Sequence, residues 1–190
     1  MFHVKSLEEY VNLVLKWNSK INLISKNDVA VIFSRHIDDS AQLFSLIDDK
    51  NAVIADLGSG NGLPGVVLNI KGCANVHLIE IDERKSVFLR EVKRQLGLSC
   101  LVINADVSQV EEKYDICVSR GLGSLQLLLG FALRLLKRDG YCLFLKGQTA
   151  DKEIAESLKY FSFEVQKYPS ITDKNGVILR IKNIKLKLDG

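Results

Sequence analysis

The chain has few of the residues that stabilise small secreted proteins. Its 190 residues include 2 prolines, 1 tryptophan and 4 cysteines. Cys73, Cys100, Cys117 and Cys142 are far apart and form no Cys-x-x-Cys pair, so they indicate neither a zinc site nor a disulfide framework. We expect buried thiols in a reducing compartment, which points to a cytoplasmic protein.

The sequence also lacks a long uninterrupted hydrophobic run. The most apolar stretch, 125–136, contains Gln126 and Arg134 and is shorter than the ~20 residues that span a bilayer. Glu8 and Glu9 lie inside the first apolar-periodic segment, which is wrong for a signal peptide. We therefore expect a soluble protein without a membrane partner. The net charge of +3 is too small to identify a nucleic-acid partner, although basic residues concentrate in 84–94 and 137–187.

The first 50 residues are predicted to form a helical extension. Ser6 to Glu9 is a capping-box pattern, which predicts that a helix begins there. Apolar residues such as Tyr10, Val14 and Trp17 then follow at helical spacing, and Trp17 is interpreted as a packing residue. A second helical stretch is predicted around 29–46. We divide the chain into this extension, 1–50, and an α/β domain, 51–190.

From residue 52 onward, predicted strands and helices alternate. The strands are 52–57, 76–81, 100–104, 114–119, 140–146, 161–168 and 176–184, and the helices are 64–71, 83–96, 124–137 and 151–160. Apolar strands separated by helices predict a parallel sheet covered on both faces. The last two strands resemble a hairpin. We therefore expect a Rossmann-like, mostly parallel seven-stranded sheet that ends in an antiparallel hairpin.

The most informative stretch is the glycine loop from Asp56 to Gly65, which follows the first predicted strand. A loop of this kind at the carboxyl end of a strand is a nucleotide site in open α/β sheets. Its Gly60-x-Gly62-x-x-Gly65 spacing formally matches the dinucleotide pattern, and that match alone is weak. Asp56 before the glycines and the bulky Leu63-Pro64 argue against a pyrophosphate.

The spacing of Asp56, Gly58, Gly60 and Gly62 resembles the cofactor loop of class I S-adenosylmethionine-dependent methyltransferases. A carboxylate suits a ligand that carries an ammonium and a sulfonium. Glu80, at the end of the second strand, is expected to bind the ribose hydroxyls, a position that also suits NAD. Asp106, after the third strand, is expected either to accept from the adenine amine or to cap a turn.

The residues at the end of the fourth strand indicate which kind of atom accepts the methyl group. Methyltransferases of exocyclic amines share an Asn/Asp-Pro-Pro-aromatic motif there, whereas this chain has Ser119-Arg120-Gly121-Leu122. Carbon methylation of pyrimidines needs a thiolate, and Cys117 is interpreted as a core residue. What remains is an acceptor with its own lone pair, such as guanine N7, for which no general base is needed.

Over most of its length the chain resembles the RsmG (GidB) family of bacterial methyltransferases, which act on a guanine N7 of 16S ribosomal RNA. The matching pieces are Trp17-Asn18, Ile21-Asn22-Leu23, the segment 35–40, the loop 56–65, Ser119-Arg120 and Lys146-Gly147. The resemblance implies S-adenosylmethionine as cofactor and 16S rRNA as substrate, either free or within the 30S subunit. Separately, we expect a monomer.

By that resemblance Gly58 and Leu63 line the cofactor pocket, Asp106 and Val107 flank the adenine, and Arg120 reaches the cofactor or the target base. The chain departs from the family at Ile81, where a serine is usual, at 104–108, where Arg-Ala-Glu is usual, and at Gly121, where alanine is usual. The adenine contact is therefore assigned to Asp106 or a residue beside it.

Two further residues are candidates for facing RNA. His36 is followed by two aspartates but does not form a metal site with them, since adjacent residues on a helix do not converge on an ion. Lys146 ends the fifth strand, where it either meets phosphate or is solvated. The alternatives left open are a methyltransferase of the same fold that acts on a small molecule or protein, an NAD(P) oxidoreductase, and a non-catalytic RNA-binding module.

Overall fold

A computed structural model describes residues 2–25, 29 and 31–187 of the chain. The described residues form one seven-stranded sheet in the order β3-β2-β1-β4-β5-β7-β6. The strands are β1 Val53–Leu57, β2 Asn75–Glu80, β3 Leu101–Asn104, β4 Tyr114–Arg120, β5 Leu136–Lys146, β6 Phe161–Pro169 and β7 Val177–Leu186. The predicted sheet is confirmed.

The strand order separates this sheet from the dinucleotide arrangement. The first five strands pair in parallel, and β7 lies between β5 and β6 and is antiparallel to both. A dinucleotide-binding sheet has six parallel strands in the order 3-2-1-4-5-6. Because the chain order reverses beside β1, the carboxyl ends of β1 and β4 flank the crevice in which ligands bind in open α/β sheets.

Helices cover both faces of the sheet. They are α1 Phe2–Asn18, α2 Asp38–Ala41, α3 Gly65–Lys71, α4 Glu83–Leu96, α5 Leu125–Leu135 and α6 Ala150–Ser157, and α2 lies between a π-helical turn, Ile32–Ile37, and a 3-10 turn, Gln42–Leu46. One apolar cluster joins α1 and the segment 32–47 to α3, α4 and the sheet, and a second joins α5 to the opposite face. The N-terminal helices thus complete the core of the sheet domain.

Local sequence signals explain why helix α4 has the bounds that the sequence predicted, residues 83–96. Helix α4 begins at Glu83 because the Asp82 carboxylate accepts from the backbone N–H groups of Arg84 and Lys85. It ends at Leu96 because Gly97 adopts the left-handed conformation that stops a helix.

The predicted bounds of helices α1 and α5 need correction, whereas the expectation about the cysteines is confirmed. Helix α1 begins at Phe2, so the predicted start at Ser6 is wrong, because the buried side chains of Tyr10 and Val14 stabilise the helix whatever its cap. Helix α5 ends at Leu135 rather than at residue 137, since Leu136 already pairs with Tyr114 in the sheet. All four cysteines are free and buried, as expected.

Across the part of the chain described by the structure, no helix combines the length and the apolar character needed to cross a membrane.

Candidate active site

A cavity of about 780 Å³ opens at the carboxyl ends of the parallel strands. Its walls come from the loop after β1, the ends of β2 and β4, the turn after β3, helix α5 and the N-terminal segment. The lining residues that the sequence predicted are Gly58, Gly60, Leu63, Glu80, Asp106, Val107, Arg120 and His36. The fold therefore brings together residues that are up to 84 positions apart in the sequence, from His36 to Arg120.

The glycine loop presents bare backbone to this cavity. Gly58, Gly60 and Gly62 have φ values of +66°, +56° and +100°, which L side chains rarely adopt. A Cβ on Gly60 would find nothing nearer than 3.8 Å, so a ligand has room there. Gly62 does not reach the cavity, since a Cβ on it would press against Val66 in α3.

Glu80 fastens the loop to the end of β2. Its Oε2 accepts from the Gly60 N–H at 2.7 Å, and its Oε1 accepts from the Asp82 N–H at 2.8 Å. A carboxylate offers about four lone-pair sites, so each oxygen can still accept a hydroxyl from the cavity. The predicted contact with a ribose diol is compatible with this arrangement and stays a prediction.

The turn after β3 and helix α5 form an apolar slot at one end of the cavity. Asp106 caps the short turn Val107–Gln109, and its Oδ1 accepts from the Ser108 N–H at 2.7 Å. Hydrogen bonds from the Ser108 hydroxyl and then from its N–H lower the pKa of the Asp106 carboxyl. The turn-capping alternative is therefore confirmed, and Asp106 also lines the cavity.

Sequence reasoning missed several walls of the cavity. Leu127 and Phe131 line it from α5, and Leu23 lines it from the segment after α1. Leu127 and Phe131 are four residues apart on one helix face, a spacing that could have revealed them. Together with Val107 they form apolar surfaces suited to a purine ring.

Asp56 lies behind the loop and outside the cavity. It is fully buried, and its Oδ2 accepts from the Gly65 N–H at 2.9 Å at the start of α3. Its Oδ1 is buried without a hydrogen-bond partner. Direct contact with a ligand stays a prediction for this residue, and the role that the structure gives it is to hold the loop on α3.

Burial raises the pKa of Asp56 to about 7 from an ordinary value of 3.8. The folded protein therefore keeps a proton that the unfolded chain loses, and ionisation destabilises the fold as pH rises between these values. Ionisation of Asp56 costs no folding free energy below about pH 4, and the loss reaches its full size above about pH 7. A difference of three pKa units corresponds to a loss of about 4 kcal/mol.

We therefore expect the free energy of unfolding of Asp56→Asn to depend less on pH than that of the wild type. Between pH 4 and pH 8 the free energy of unfolding of the wild type should fall by about 4 kcal/mol relative to the variant. Urea unfolding of both proteins at each pH measures this difference, and all other titrating groups cancel in the comparison. Parallel pH profiles would show that Asp56 is ionised throughout.

The N-terminal segment closes one side of the cavity. The buried Tyr10 hydroxyl donates to the Asn61 carbonyl oxygen at 2.7 Å, which joins α1 to the glycine loop. His36 is buried and lines the cavity from the π-helical turn. Trp17 packs on Phe88 with ring centroids 5.7 Å apart, which confirms its interpretation as a packing residue.

Arg120 lines both this cavity and a smaller one of about 190 Å³. Its Nε donates to Asp39 Oδ2 at 3.0 Å, and its guanidinium also donates to the Arg35 carbonyl oxygen at 3.4 Å. The smaller cavity is bounded by these residues, by Lys146-Gly147 at the end of β5 and by the loop between β6 and β7. The sequence-predicted Arg120 is thus shared by both spaces.

Lys146 is held by protein groups. Its Nζ donates to Glu153 Oε2 at 2.7 Å and to the Gly123 carbonyl oxygen at 2.6 Å, and its side chain is 9% exposed. The interpretation as a solvated lysine is wrong, because the side chain is largely buried and pairs with a carboxylate of α6. Contact with an RNA phosphate stays a prediction. Its role is to join β5 to α6 beside the smaller cavity.

No group of three or more His, Cys, Asp or Glu side chains that could hold a metal occurs within residues 2–25, 29 and 31–187. The larger cavity does fit S-adenosylmethionine. Glu80 offers acceptors for the ribose, Val107 and Phe131 offer apolar surface for the adenine, and the loop at Gly60 leaves room for the rest.

Comparison with known proteins agrees with this geometry. The family model described as "GidB: rRNA small subunit methyltransferase G" matches residues 3–181. The protein named ribosomal RNA small subunit methyltransferase G of Paramagnetospirillum magneticum is 41% identical over 182 residues, covering 95% of this chain and 89% of the relative. The protein of the same name in Rhodospirillum centenum is 42% identical and covers 94% and 83%.

Solved structures share the fold at low sequence identity. A ribosomal protein L11 methylase from Lactobacillus delbrueckii superposes with a TM-score of 0.60 at 20% identity, covering 75% of this chain and 76% of that one. A TehB-like SAM-dependent methyltransferase from Corynebacterium glutamicum gives 0.60 at 17%, covering 92% and 98%. TYW2 of M. jannaschii, solved in complex with AdoMet, gives a TM-score of 0.56 at 16% identity, covering 89% of this chain and 80% of that one.

Proposed function

The chain belongs to the GidB family of rRNA small subunit methyltransferase G proteins, and on that premise we propose that it methylates 16S ribosomal RNA with S-adenosylmethionine. The observation that carries the proposal is the larger cavity, with its glycine loop and Glu80 at the ends of β1 and β2. The sheet order, with β7 between β5 and β6, argues against the NAD(P) oxidoreductase.

We propose guanine N7 as the acceptor atom. When bound, S-adenosylmethionine supplies a methyl group already activated by the sulfonium. Guanine N7 has a lone pair and no proton to lose, so the chain need not supply a base. What the chain contributes is alignment of the two partners, an effect that can supply about 7–11 kcal/mol of a reaction barrier.

Arg120 is the residue best placed to orient the acceptor. It lies on the wall shared by the two cavities, and its position is set by hydrogen bonds to Asp39 and to the Arg35 carbonyl. A guanidinium has a fixed fork of donors, which can address the O6 edge of guanine or a phosphate oxygen. Arg120 would thus hold the base where the methyl group is delivered.

A basic groove beside the larger cavity would receive the RNA backbone. It has a volume of about 270 Å³, and its charged lining residues are Lys20, Arg84 and Lys85 together with Asp82, which pairs with Arg84 at 3.5 Å. Lys85 also lines the larger cavity. Phosphate contacts of this kind position RNA without reading its sequence.

We expect binding to 16S rRNA to weaken steeply with added salt. Each lysine or arginine that neutralises a phosphate contributes roughly 0.7 to the slope of log K against log salt for single strands. Lys20→Ala and Arg84→Ala should each lower the slope by about that amount, as measured by filter binding between 50 and 200 mM salt. Lys159→Ala is the control, because Lys159 lies beyond α6 and lines neither the groove nor the larger cavity. A flat titration, or equal slopes for all variants, would contradict the assignment.

The molecule that receives the methyl group distinguishes the rRNA methyltransferase from the remaining alternatives, a methyltransferase of another substrate and an RNA-binding module. We propose that the enzyme acts as a monomer in the cytoplasm, on the 30S subunit or on free 16S rRNA. Methyl-labelled S-adenosylmethionine should be incubated with undermethylated 30S subunits, with 16S rRNA stripped of protein and with the stripped proteins. Label in RNA supports the proposal. Label only in protein favours the methyltransferase of another substrate, and cofactor binding without transfer favours the RNA-binding module.

A further inference from the structure

One carboxylate, that of Asp39, joins three distant parts of the chain. Its Oδ2 accepts from Arg120 Nε at 3.0 Å, at the end of β4. Its Oδ1 accepts from the Thr172 hydroxyl at 2.9 Å and from the Ser170 hydroxyl at 3.3 Å, both in the loop between β6 and β7. Asp39 itself belongs to α2 in the N-terminal segment.

The loop from Ser170 to Gly176 is held in one shape by further hydrogen bonds. The Ser170 N–H donates to the Gly176 carbonyl at 3.0 Å, and the Gly176 N–H donates to the Asp173 carbonyl at 2.9 Å. Gln42, which donates to Asp39 Oδ1 at 2.8 Å, also accepts from the Ile171 N–H at 3.1 Å. The loop is therefore fixed against the N-terminal segment through Asp39 and Gln42.

The smaller cavity lies between the two groups that Asp39 holds. Arg120 forms the wall toward the larger cavity, and Thr172 with Asp173 forms the wall on the side of the loop. Its volume of about 190 Å³ is below the 300–1,000 Å³ of sites for drug-sized ligands. It has the size for a single planar base that has left its stack, the form in which enzymes modify bases within folded nucleic acid.

We propose that Asp39 is a positioning residue for methyl transfer, which sets Arg120 and the 170–176 loop as the two walls of a site for one unstacked nucleobase. This rests on the proposed function and adds the site of the acceptor. Asp39 itself lines the smaller cavity, and its oxygens accept from Arg120, Thr172 and Gln42. Asp39 acts by positioning Arg120 and the 170–176 loop. A displacement of about 1 Å in groups that position a substrate can lower the reaction rate about a hundredfold.

The test compares Asp39→Asn, Asp39→Glu and Thr172→Val with the wild type, using methyl transfer to 16S rRNA or 30S subunits. The value of kcat is normalised to the number of S-adenosylmethionine sites found by calorimetry, so misfolded protein does not count. Asp39→Asn should lower kcat about 30- to 100-fold and change the KM for RNA and the Kd for S-adenosylmethionine less than threefold. Asp39→Glu should restore part of the loss, and Thr172→Val should lower kcat about three- to tenfold.

Asp38→Asn is the matched control, since it removes the same charge from the adjacent, exposed residue and should leave kcat unchanged. Equal losses in Asp38→Asn and Asp39→Asn, or a kcat for Asp39→Asn within threefold of the wild type, would overturn the proposal. If Asp39→Asn does not fold, Thr172→Val decides, and an unchanged kcat counts against the positioning role. Absence of transfer by the wild type itself would refute the proposed function, which is a separate outcome.

Discussion

Replacement of Gly58 by valine is expected to weaken the binding of S-adenosylmethionine about a hundredfold. A Cβ at this position would lie 2.4 Å from Leu122 Cδ1 and 3.0 Å from Leu122 Cγ, and both residues line the larger cavity. Leu122 therefore has to move within the space that the ligand needs. The φ of +66° adds strain for a β-branched side chain, and such strain costs about 1–3 kcal/mol.

Calorimetry of the purified variant measures the effect, with thermal unfolding to confirm that the protein is folded. Gly130→Ala is the control, because a Cβ on Gly130 in helix α5 meets no atom within 4 Å. That change should leave the Kd unaltered and stabilise the protein by about 0.5–1 kcal/mol. Binding by Gly58→Val within threefold of the wild type would mean that the ligand does not lie against the glycine loop.

Replacement of Arg120 by alanine is expected to lower kcat/KM for RNA by a factor of about 100 to 1,000 and to leave the Kd for S-adenosylmethionine within a few-fold. The guanidinium is the only described group that lines both cavities, so its loss removes the element that aligns acceptor with donor, which is worth several kcal/mol. Arg120→Lys should be intermediate, because lysine keeps the charge and loses the fork of donors.

The loss of an ion pair also destabilises the fold, so the comparison needs a variant with the same structural defect. Arg180→Ala is the comparison, since it also removes a largely buried arginine from an ion pair. Arg180 pairs with Asp48 at 2.8 Å and is 15% exposed, against 3.0 Å and 22% for Arg120 with Asp39, and Asp48 is the more exposed carboxylate. Both variants should lose stability in urea unfolding, and only Arg120→Ala should lose transfer. Equal activity losses would reduce Arg120 to a structural residue.

The sequence predicted those parts of the fold that depend on neighbouring residues. The apolar strands, the Asp82 cap and the glycine stop at Gly97 are signals that act over a few positions. The predictions of the sheet and of helix α4 were therefore correct. The glycine loop was found for the same reason, since its conformation depends on glycines two residues apart.

The parts that failed depend on contacts between distant residues. Lys146 was interpreted as either phosphate-facing or solvated, because Glu153, seven residues later, could not be recognised as its partner before helix α6 was in place. The link from Asp39 to Arg120 and Thr172 spans 81 and 133 positions and has no sequence signature. For Asp56, whose ligand contact stays a prediction, the sequence did not reveal the burial or the hydrogen bond from the Gly65 N–H nine residues later.

The central claim is that the two cavities bring a methyl donor and a guanine N7 of small-subunit rRNA together. The most direct measurement is the identity and position of the methylated nucleoside after undermethylated 30S subunits have been incubated with the enzyme and labelled S-adenosylmethionine. The account predicts that digestion of the 16S rRNA yields the label as 7-methylguanosine from one position. Label in another nucleoside, or none in RNA by an enzyme that binds the cofactor, would contradict it.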